Sequence, residues 1–319
     1  MTNDKHVVQG FSPARPRNAG LKACATLTLF VLALASGSAA RPAFAPWASA
    51  GKQATPRAPH IVFVTGDDEY RSEVTMPMIA AILEKSHGFT TSIAYARPKP
   101  QTKDNIEGLE ALATADLLVM FTRFRALPDE QLQRILQFVE SGKPIVGLRT
   151  STHAFLYPEG HPRHGLNDGF GRDVFGQKWI THHGNQSSTN VTVRGGAGAN
   201  PILRGVQPFH ARSWLYHVVP LNGEATVLLD GTTVNSNKTD KFAEFPATQP
   251  VAWTRQYKTS RVFFTTLGHP DDFAQESMRR LVINGIYWAL GRDVPAGGAN
   301  ATVAGTYEPP PTSDLSKVQ

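Results

Sequence analysis

The first half of the chain alternates between short, continuously apolar runs and segments with apolar residues at helical spacing. Four segments predict strands: 60–65, 91–95, 117–121 and 144–148, of which 60–65 and 117–121 are continuously apolar runs that indicate buried strands. Three segments between or beside them predict helices: 74–87, the stretch marked by Ile106, Leu109 and Leu112, and 128–142. Because strands and helices alternate at short spacing, the pattern predicts βαβ units and a parallel sheet.

The second half of the chain is richer in strands and loops. Its apolar pattern predicts four further strands, at 190–194, 226–230, 251–255 and 261–267. A strong helix over 277–290 closes the pattern, with Gly291 as its C-cap. The predicted fold class is α/β: one doubly wound domain with a mostly parallel sheet and with strand and loop insertions.

The N-terminus has the pattern of a secretory signal peptide over residues 1–40. Basic residues precede an apolar run at 23–35, and small residues follow it up to Ala40. The run is too short for a comfortable membrane span. Cys24 opens this run, whereas a lipidated cysteine would follow it, so lipidation is the disfavoured alternative. The sequence therefore predicts an exported protein, periplasmic or secreted, with no stable membrane span after cleavage.

Composition predicts the remaining boundaries. Residues 41–57 are rich in Pro, Ala and Ser and predict a disordered lead-in, and residues 293–319 predict a disordered tail. The folded domain is expected over 58–292. Cys24 is the one cysteine among 319 residues, which excludes an intrachain disulfide framework, a cysteine-based zinc site and an iron–sulfur cluster.

The formal charge of +6 arises partly in the signal peptide. Cleavage after Ala40 removes four basic residues and one acidic residue, which lowers the charge to +3. The remaining basic excess is ordinary, so a nucleic-acid partner is not expected.

Charged and histidine residues follow several predicted strands, at the carboxyl edge where doubly wound sheets bind ligands. The loop after the first strand carries Asp67, Asp68, Glu69 and Glu73. One interpretation is a solvated loop with a helix-capping box. The other is a carboxylate pair for acid–base work or for hydrogen bonds to a polyol.

Three arginines also lie at strand ends: Arg123, Arg125 and Arg149. They can bind a carboxylate, a phosphate or neighbouring sugar hydroxyls, or they can form internal salt bridges to the carboxylates of the first loop. Both interpretations remain open.

Five histidines of the predicted domain form the other chemical signal: His153, His182, His183, His217 and His269. Imidazole can ligate a metal or transfer protons near neutral pH. No spacing among them has strong metal specificity. Asp271 and Asp272 adjoin His269, and Trp179 precedes His182 closely enough to be a pocket residue.

Several segments together are similar to the trehalose-utilisation (ThuA-like) family of the class I glutamine amidotransferase-like superfamily. The similarity covers about residues 58–292. The segments that carry it are 64–71 (VTGDDEYR), 147–155 (GLRTSTHAF), 182–184 (HHG), 250–253 (PVAW), 261–269 (RVFFTTLGH) and 284–289 (NGIYWA). The resemblance implies a flavodoxin-like fold and a link to carbohydrate catabolism, in particular to disaccharides and 3-keto sugars. It does not imply glutaminase activity, because Arg149 occupies the position of the superfamily's nucleophilic cysteine.

Residue types and resemblance together assign expected roles. The expected catalytic residues are His153, His269 and Glu69. The expected substrate-binding residues are Asp67, Tyr70, Arg71, Arg123, Arg149 and Trp179. The expected ligands of a divalent metal such as zinc are His182, His183 and Asp271.

The leading hypothesis is an exported hydrolase- or lyase-type enzyme that acts on a small carbohydrate by acid–base chemistry, with or without a metal. The alternative is a non-catalytic carbohydrate-binding or scaffold domain, which the missing cysteine favours. A third hypothesis is metal storage or sensing.

Overall fold

The computed structural model describes residues 57–184, 187–236 and 245–312, and the statements below concern these ranges. The predicted signal peptide and the lead-in as far as residue 56 lie outside them. The described chain begins at Arg57, whose guanidinium donates to the carboxylate of Asp116 at 2.8 Å. Within the described ranges, no helix combines the length and the apolar character that a membrane crossing requires.

The described ranges contain twelve strands and four α-helices. The strands are β1 (His60–Gly66), β2 (Thr90–Ala96), β3 (Ile106–Glu107), β4 (Leu117–Thr122), β5 (Ile145–Leu148), β6 (Thr181–His182), β7 (Ser188–Val193), β8 (Phe209–Ala211), β9 (Tyr216–His217), β10 (Thr226–Val234), β11 (Thr248–Tyr257) and β12 (Ser260–Thr265). The helices are α1 (Ser72–His87), α2 (Asp129–Glu140), α3 (Leu166–Phe170) and α4 (Glu276–Ala289).

Ten strands form one mixed sheet in the order β3-β2-β1-β4-β5-β12-β11-β10-β7-β8. The five adjacent strands β2, β1, β4, β5 and β12 are parallel. In this part of the sheet the second strand of the chain lies outside the first and the others follow in sequence, which is the flavodoxin-like order. The predicted flavodoxin-like α/β class is therefore confirmed.

The remaining strands extend this parallel sheet with antiparallel pairs. β11, β10, β7 and β8 follow β12, and β3 pairs with β2 at the opposite edge. β6 and β9 form a separate two-stranded ribbon, in which His182 lies opposite Tyr216. The ribbon therefore brings two distant parts of the sequence together near the candidate site.

Helices cover both faces of the sheet, as a doubly wound fold requires. Ile79 of α1 and Leu281 of α4 are fully buried in one hydrophobic cluster. Leu132 and Ile135 of α2 are fully buried in the other. Full burial of each such side chain contributes about 1.5–3 kcal/mol relative to exposure. Because each face of the sheet has a hydrophobic cluster, the strands between the clusters are apolar on both faces.

One predicted helix is wrong. Ile106, Leu109 and Leu112 are all buried, as their spacing predicts, but they lie in β3 and in a 3-10 turn over Leu109–Ala113. Gly108 separates the two elements with φ 94°, a left-handed conformation that ends helical geometry. The side chain of Gln131 accepts the N–H of Ile106 at 2.8 Å and so replaces a helical partner.

The predicted disordered tail is also wrong for residues 293–312, which pack onto α4. Ala299 and Ala301 are fully buried. The N–H of Ala299 donates to Oδ1 of Asn284 at 2.9 Å, and Nε of Arg279 donates to the carbonyl of Ala301 at 2.8 Å. Because polar side chains of α4 hold this segment by its backbone, it needs few large apolar residues of its own.

Candidate functional site

The backbone turns sharply where β5 ends. Leu148 is the last residue of the strand, and Arg149 follows with φ 41°, in a region that non-glycine residues rarely adopt. A 3-10 turn over Arg149–His153 comes directly after it. This strand-to-turn geometry resembles a nucleophile elbow, with arginine where a nucleophile would stand.

Arg149 is fully buried beneath this turn. Its Cζ lies 4.1 Å from the ring centre of Tyr70 and 4.6 Å from that of Tyr216. Nη2 donates to the hydroxyl of Tyr70 at 2.9 Å, and Nη1 donates to the carbonyls of Thr266 at 2.9 Å and Trp214 at 3.4 Å. One cation thus joins four loops. The sequence predicted direct substrate binding by Arg149, but its guanidinium is occupied by the protein and supports the site through the two tyrosines.

Asp67, in the loop after β1, is fully buried as well. Its Oδ1 accepts the backbone N–H groups of Glu69 at 2.6 Å and Tyr70 at 2.7 Å, and its Oδ2 accepts the hydroxyl of Thr150. Burial raises the pKa of Asp67 to about 6. Asp67 therefore fixes the first loop to the elbow, and the structure gives it no open position toward a substrate.

The other carboxylates of this loop form ion pairs. Asp68 accepts from Lys103 at 2.7 Å and from buried Arg125 at 3.0 Å. Glu69 pairs with Nε of Arg123 at 3.0 Å, and both side chains keep part of their surface exposed. Arg123 and Arg125 thus form ion pairs with carboxylates of this loop, and the exposed parts of Glu69 and Arg123 remain within reach of a ligand.

Arg71 has protein partners where the sequence predicted a substrate. Its Nε pairs with Glu73 at 2.6 Å, and its Nη1 donates to the carbonyl of Pro311 at 3.2 Å. The side chain therefore extends from the start of α1 toward the C-terminal segment.

His153 ends the elbow turn and is nearly buried. The hydroxyl of Thr152 donates to the carbonyl of Arg149 at 3.2 Å, and its oxygen lies 3.1 Å from Nδ1 of His153. Because the hydroxyl proton goes to the carbonyl, we assign the ring hydrogen to Nδ1, which leaves a lone pair on Nε2. Burial, reinforced by Arg123 and Arg149, lowers the pKa of His153 well below its usual value. His153 is therefore a neutral imidazole whose Nε2 can accept a proton.

His269 has the opposite tautomer. It caps the 3-10 turn Pro270–Ala274, and its Nδ1 accepts the N–H of Asp271 at 3.2 Å, so the hydrogen of the neutral ring lies on Nε2. Burial lowers the pKa of His269 to about 4. The ring meets that of Tyr70 edge-on at 5.9 Å. His269 is therefore a hydrogen-bond donor on the Tyr70 side of Arg149.

Asp272 holds the loop that carries His269. It is fully buried. Its Oδ2 accepts the N–H groups of Gly268 at 3.0 Å and His269 at 3.1 Å, together with the hydroxyl of Ser213 at 2.5 Å. Its Oδ1 accepts the N–H groups of Arg212 at 2.6 Å and Ser213 at 3.1 Å. Five donors on one carboxylate thus fix two loops to each other.

Aromatic rings surround His153 on the outer side of the site. Its ring centre lies 4.9 Å from Phe124, 5.4 Å from Trp179 and 6.3 Å from Tyr216. Trp179 is 37% exposed, and His182 lies 6.3 Å from it. An exposed indole beside polar imidazoles is a surface on which the apolar face of a ring-shaped ligand can stack. Substrate binding by Trp179 stays a prediction with which this placement is compatible.

The expected metal ligands do not form a common site. Across the described ranges, no three His, Cys, Asp or Glu side chains are placed to share an ion. His183 is fully buried, and the ring of His182 lies 4.8 Å from that of Trp214. Asp271 is half-exposed, with Oδ2 3.7 Å from Nδ1 of His269. The residues present therefore do not fit zinc, and no step of the chemistry is assigned to a metal.

Three further residues contribute to this arrangement in ways that the sequence does not indicate. Tyr216 lies in a two-residue strand that no apolar pattern marks, and Thr152 acts through a hydroxyl within the elbow turn. In the sequence, Asp272 is only a carboxylate beside His269, whereas in the structure it fixes the loop that carries His269.

Several solved structures are similar to this chain. A ThuA-like protein from Bacteroides uniformis is 17% identical, with a TM-score of 0.50, over 77% of this chain and 98% of its own. A ThuA-like protein from Parabacteroides merdae is 16% identical, with a TM-score of 0.49, over 77% and 96%. The carbohydrate deacetylase Agd3 is 11% identical, with a TM-score of 0.45, over 73% of this chain and 32% of its own. At these identities the likeness concerns the fold alone.

The sequence itself gives the family. No curated protein sequence matches the chain significantly. The profile of the ThuA family, described as trehalose utilisation, matches residues 60–289, which include the elbow, the first-strand loop and the His269 loop. The chain therefore belongs to the ThuA (trehalose utilisation) family.

Proposed function

We propose that the protein is a hydrolase- or lyase-type enzyme of carbohydrate catabolism that acts on a glycoside or a 3-keto sugar. The observation that carries the proposal is the placement of two buried imidazoles, His153 and His269, to whose Nδ1 contacts we assign opposite tautomers. They lie at the two sides of the Tyr70–Arg149–Tyr216 stack. The family's description supports a disaccharide, or a sugar derived from one, as the substrate class.

The two imidazoles have complementary roles in this proposal. Nε2 of His153 accepts a proton from the substrate or from a water molecule. Nε2–H of His269 donates a hydrogen bond to the substrate oxygen on which negative charge develops, as a neutral imidazole with a lowered pKa can do. Glu69 is the partner carboxylate, which binds sugar hydroxyls from its ion pair with Arg123.

A 3-keto glycoside makes the best use of this arrangement. His153 removes the proton from the carbon between the ketone and the anomeric centre, while His269 stabilises the enolate oxygen. The anomeric C–O bond then breaks, a C=C bond forms, and the proton passes from His153 to the departing oxygen. Addition of water to the unsaturated product completes a hydrolysis, and its release completes a lyase reaction.

Turnover of disaccharides and their 3-keto derivatives tests the proposal. We expect His153→Gln and His269→Gln each to lower kcat by about 10²-fold, because each removes one acid–base partner. His210→Gln is the matched control, since His210 is exposed on β8. Products are followed by NMR or mass spectrometry. If the protein binds sugars and Trp179→Ala abolishes binding, but no sugar is converted, the protein is a binding domain and the enzyme proposal fails.

The proposed exported location rests on the N-terminal sequence pattern alone. Basic residues, the apolar run at 23–35 and the small residues up to Ala40 support it. When the full chain is produced in a bacterial host, we expect the exported protein to begin at Arg41, as measured by intact mass. A protein that stays in the cytoplasm with residues 1–40 attached would contradict this location.

A further inference from the structure

The segment after α4, residues 293–312, reaches two of the loops that form the candidate site. The hydroxyl of Tyr307 donates to the carbonyl of Pro270 at 3.0 Å. Pro270 directly follows His269 and opens the 3-10 turn that His269 caps. Near its end, the segment offers the carbonyl of Pro311 to Nη1 of Arg71 at 3.2 Å.

The anchoring of this segment is independent of the site. Val294, Ala299 and Ala301 are buried beside α4. Arg280 donates to the carbonyl of Ala299 at 3.1 Å, and His87 of α1 lies 2.8 Å from the carbonyl of Asn300. The first part of the segment is thus fixed to two helices, so that its second part can restrain loops.

We infer that residues 293–312 form a strap that positions the two site loops, and that Tyr307 is a positioning residue for His269 that acts through Pro270. The assignment of a catalytic effect to Tyr307 rests on the proposed function. The strap lies outside the segment that the family profile matches, which ends at residue 289.

The strap complements the restraint by Asp272. Asp272 binds the N–H groups of Gly268 and His269 from inside the protein. Tyr307 binds the carbonyl of Pro270 from the strap. Arg279 links the end of the same turn to the strap, because it donates to the carbonyls of Phe273 at 2.7 Å and Ala301 at 2.8 Å. The His269 loop is thus held from both sides, which keeps Nε2–H in one direction.

Amide hydrogen exchange tests the strap without any substrate. In Tyr307→Phe, we expect exchange in residues 268–274 to rise about 3- to 10-fold, since one hydrogen bond is lost while the ring remains. A chain that ends at Ala304 keeps the buried alanines but lacks both site contacts, so exchange should rise in residues 66–71 as well. Tyr257→Phe is the matched control, because the Tyr257 hydroxyl donates to Glu140 of α2 and contacts neither the strap nor a site loop.

Turnover adds a catalytic readout. If the proposed function holds, Tyr307→Phe lowers kcat about 3- to 10-fold and leaves KM unchanged, because the change alters the orientation of His269 in the transition state. Unchanged exchange in residues 268–274 in both Tyr307→Phe and the shortened chain overturns the strap. Absence of sugar turnover in the unaltered protein counts against the proposed function, whereas the exchange result still decides the strap.

Discussion

Replacing Asp272 with alanine is expected to destabilise the protein by about 3–5 kcal/mol. The Asp272 carboxylate is fully buried and accepts five hydrogen bonds, four from backbone N–H groups and one from the hydroxyl of Ser213. Alanine removes the acceptor of the Arg212 and Ser213 N–H groups, while the N–H groups of Gly268 and His269 keep the hydroxyl oxygen of Ser213 as an acceptor, each at 3.1 Å. The same change releases the loop of Arg212 and Ser213 from the loop of His269.

Urea unfolding of Asp272→Ala measures this loss, and the adjacent residue supplies the control. Asp271 is half-exposed, so Asp271→Ala should change the free energy of unfolding by less than about 0.5 kcal/mol. The loss in the free energy of unfolding for Asp272→Asn should lie between those for Asp271→Ala and Asp272→Ala. The amide keeps one acceptor oxygen but turns an NH₂ group toward donors. A free energy of unfolding for Asp272→Ala within about 1 kcal/mol of the unaltered protein would show that the carboxylate does not hold the loops.

Asp67→Asn is expected to make the protein more stable at pH 8. Burial raises the pKa of Asp67 to about 6 from its ordinary value of 3.8, so the folded state holds its proton more tightly than the unfolded state. The favourable contribution is therefore complete below about pH 4 and is lost as the pH rises through 6. A gap of about two pKa units corresponds to about 3 kcal/mol, a cost that the substituted amide avoids because it does not ionise.

Unfolding free energies at pH 4 and pH 8 test this prediction. The gain of Asp67→Asn should be largest at pH 8 and should shrink toward pH 4. Asp68→Asn is the control in the same loop and should have the opposite sign at pH 8, because it weakens ion pairs with Lys103 and Arg125. A gain that does not depend on pH would mean that the carboxylate of Asp67 is not the cause.

Three strands of the parallel part of the sheet are predictable from the sequence because they are buried on both faces. β1, β4 and β5 are almost entirely buried, so each appears as an unbroken apolar run. The strap escapes such prediction, because Ala299 and Ala301 are small and the polar side chains of α4 hold the backbone. The buried residues of the strap therefore show no helical or strand spacing of apolar side chains in the sequence.

The location of the candidate site follows from topology, but the role of each residue does not. The rule that ligands bind at the carboxyl ends of parallel strands selects the loops of Glu69, His153 and His269. It cannot tell which side chains face outward. Arg149 turns inward between two tyrosines, since the left-handed backbone at the elbow directs it there. Tyr216 comes from a ribbon whose pairing is non-local.

The ends of the ten-stranded sheet limit how the protein can associate with itself. β3 has two residues and β8 has three, so these two outermost strands offer very few backbone groups for a further strand. Long, flat edges are the usual templates for intermolecular strand addition, and short edge strands prevent it. Within the described ranges, the outermost strands β3 and β8 are therefore poor templates for a strand from another copy of the protein.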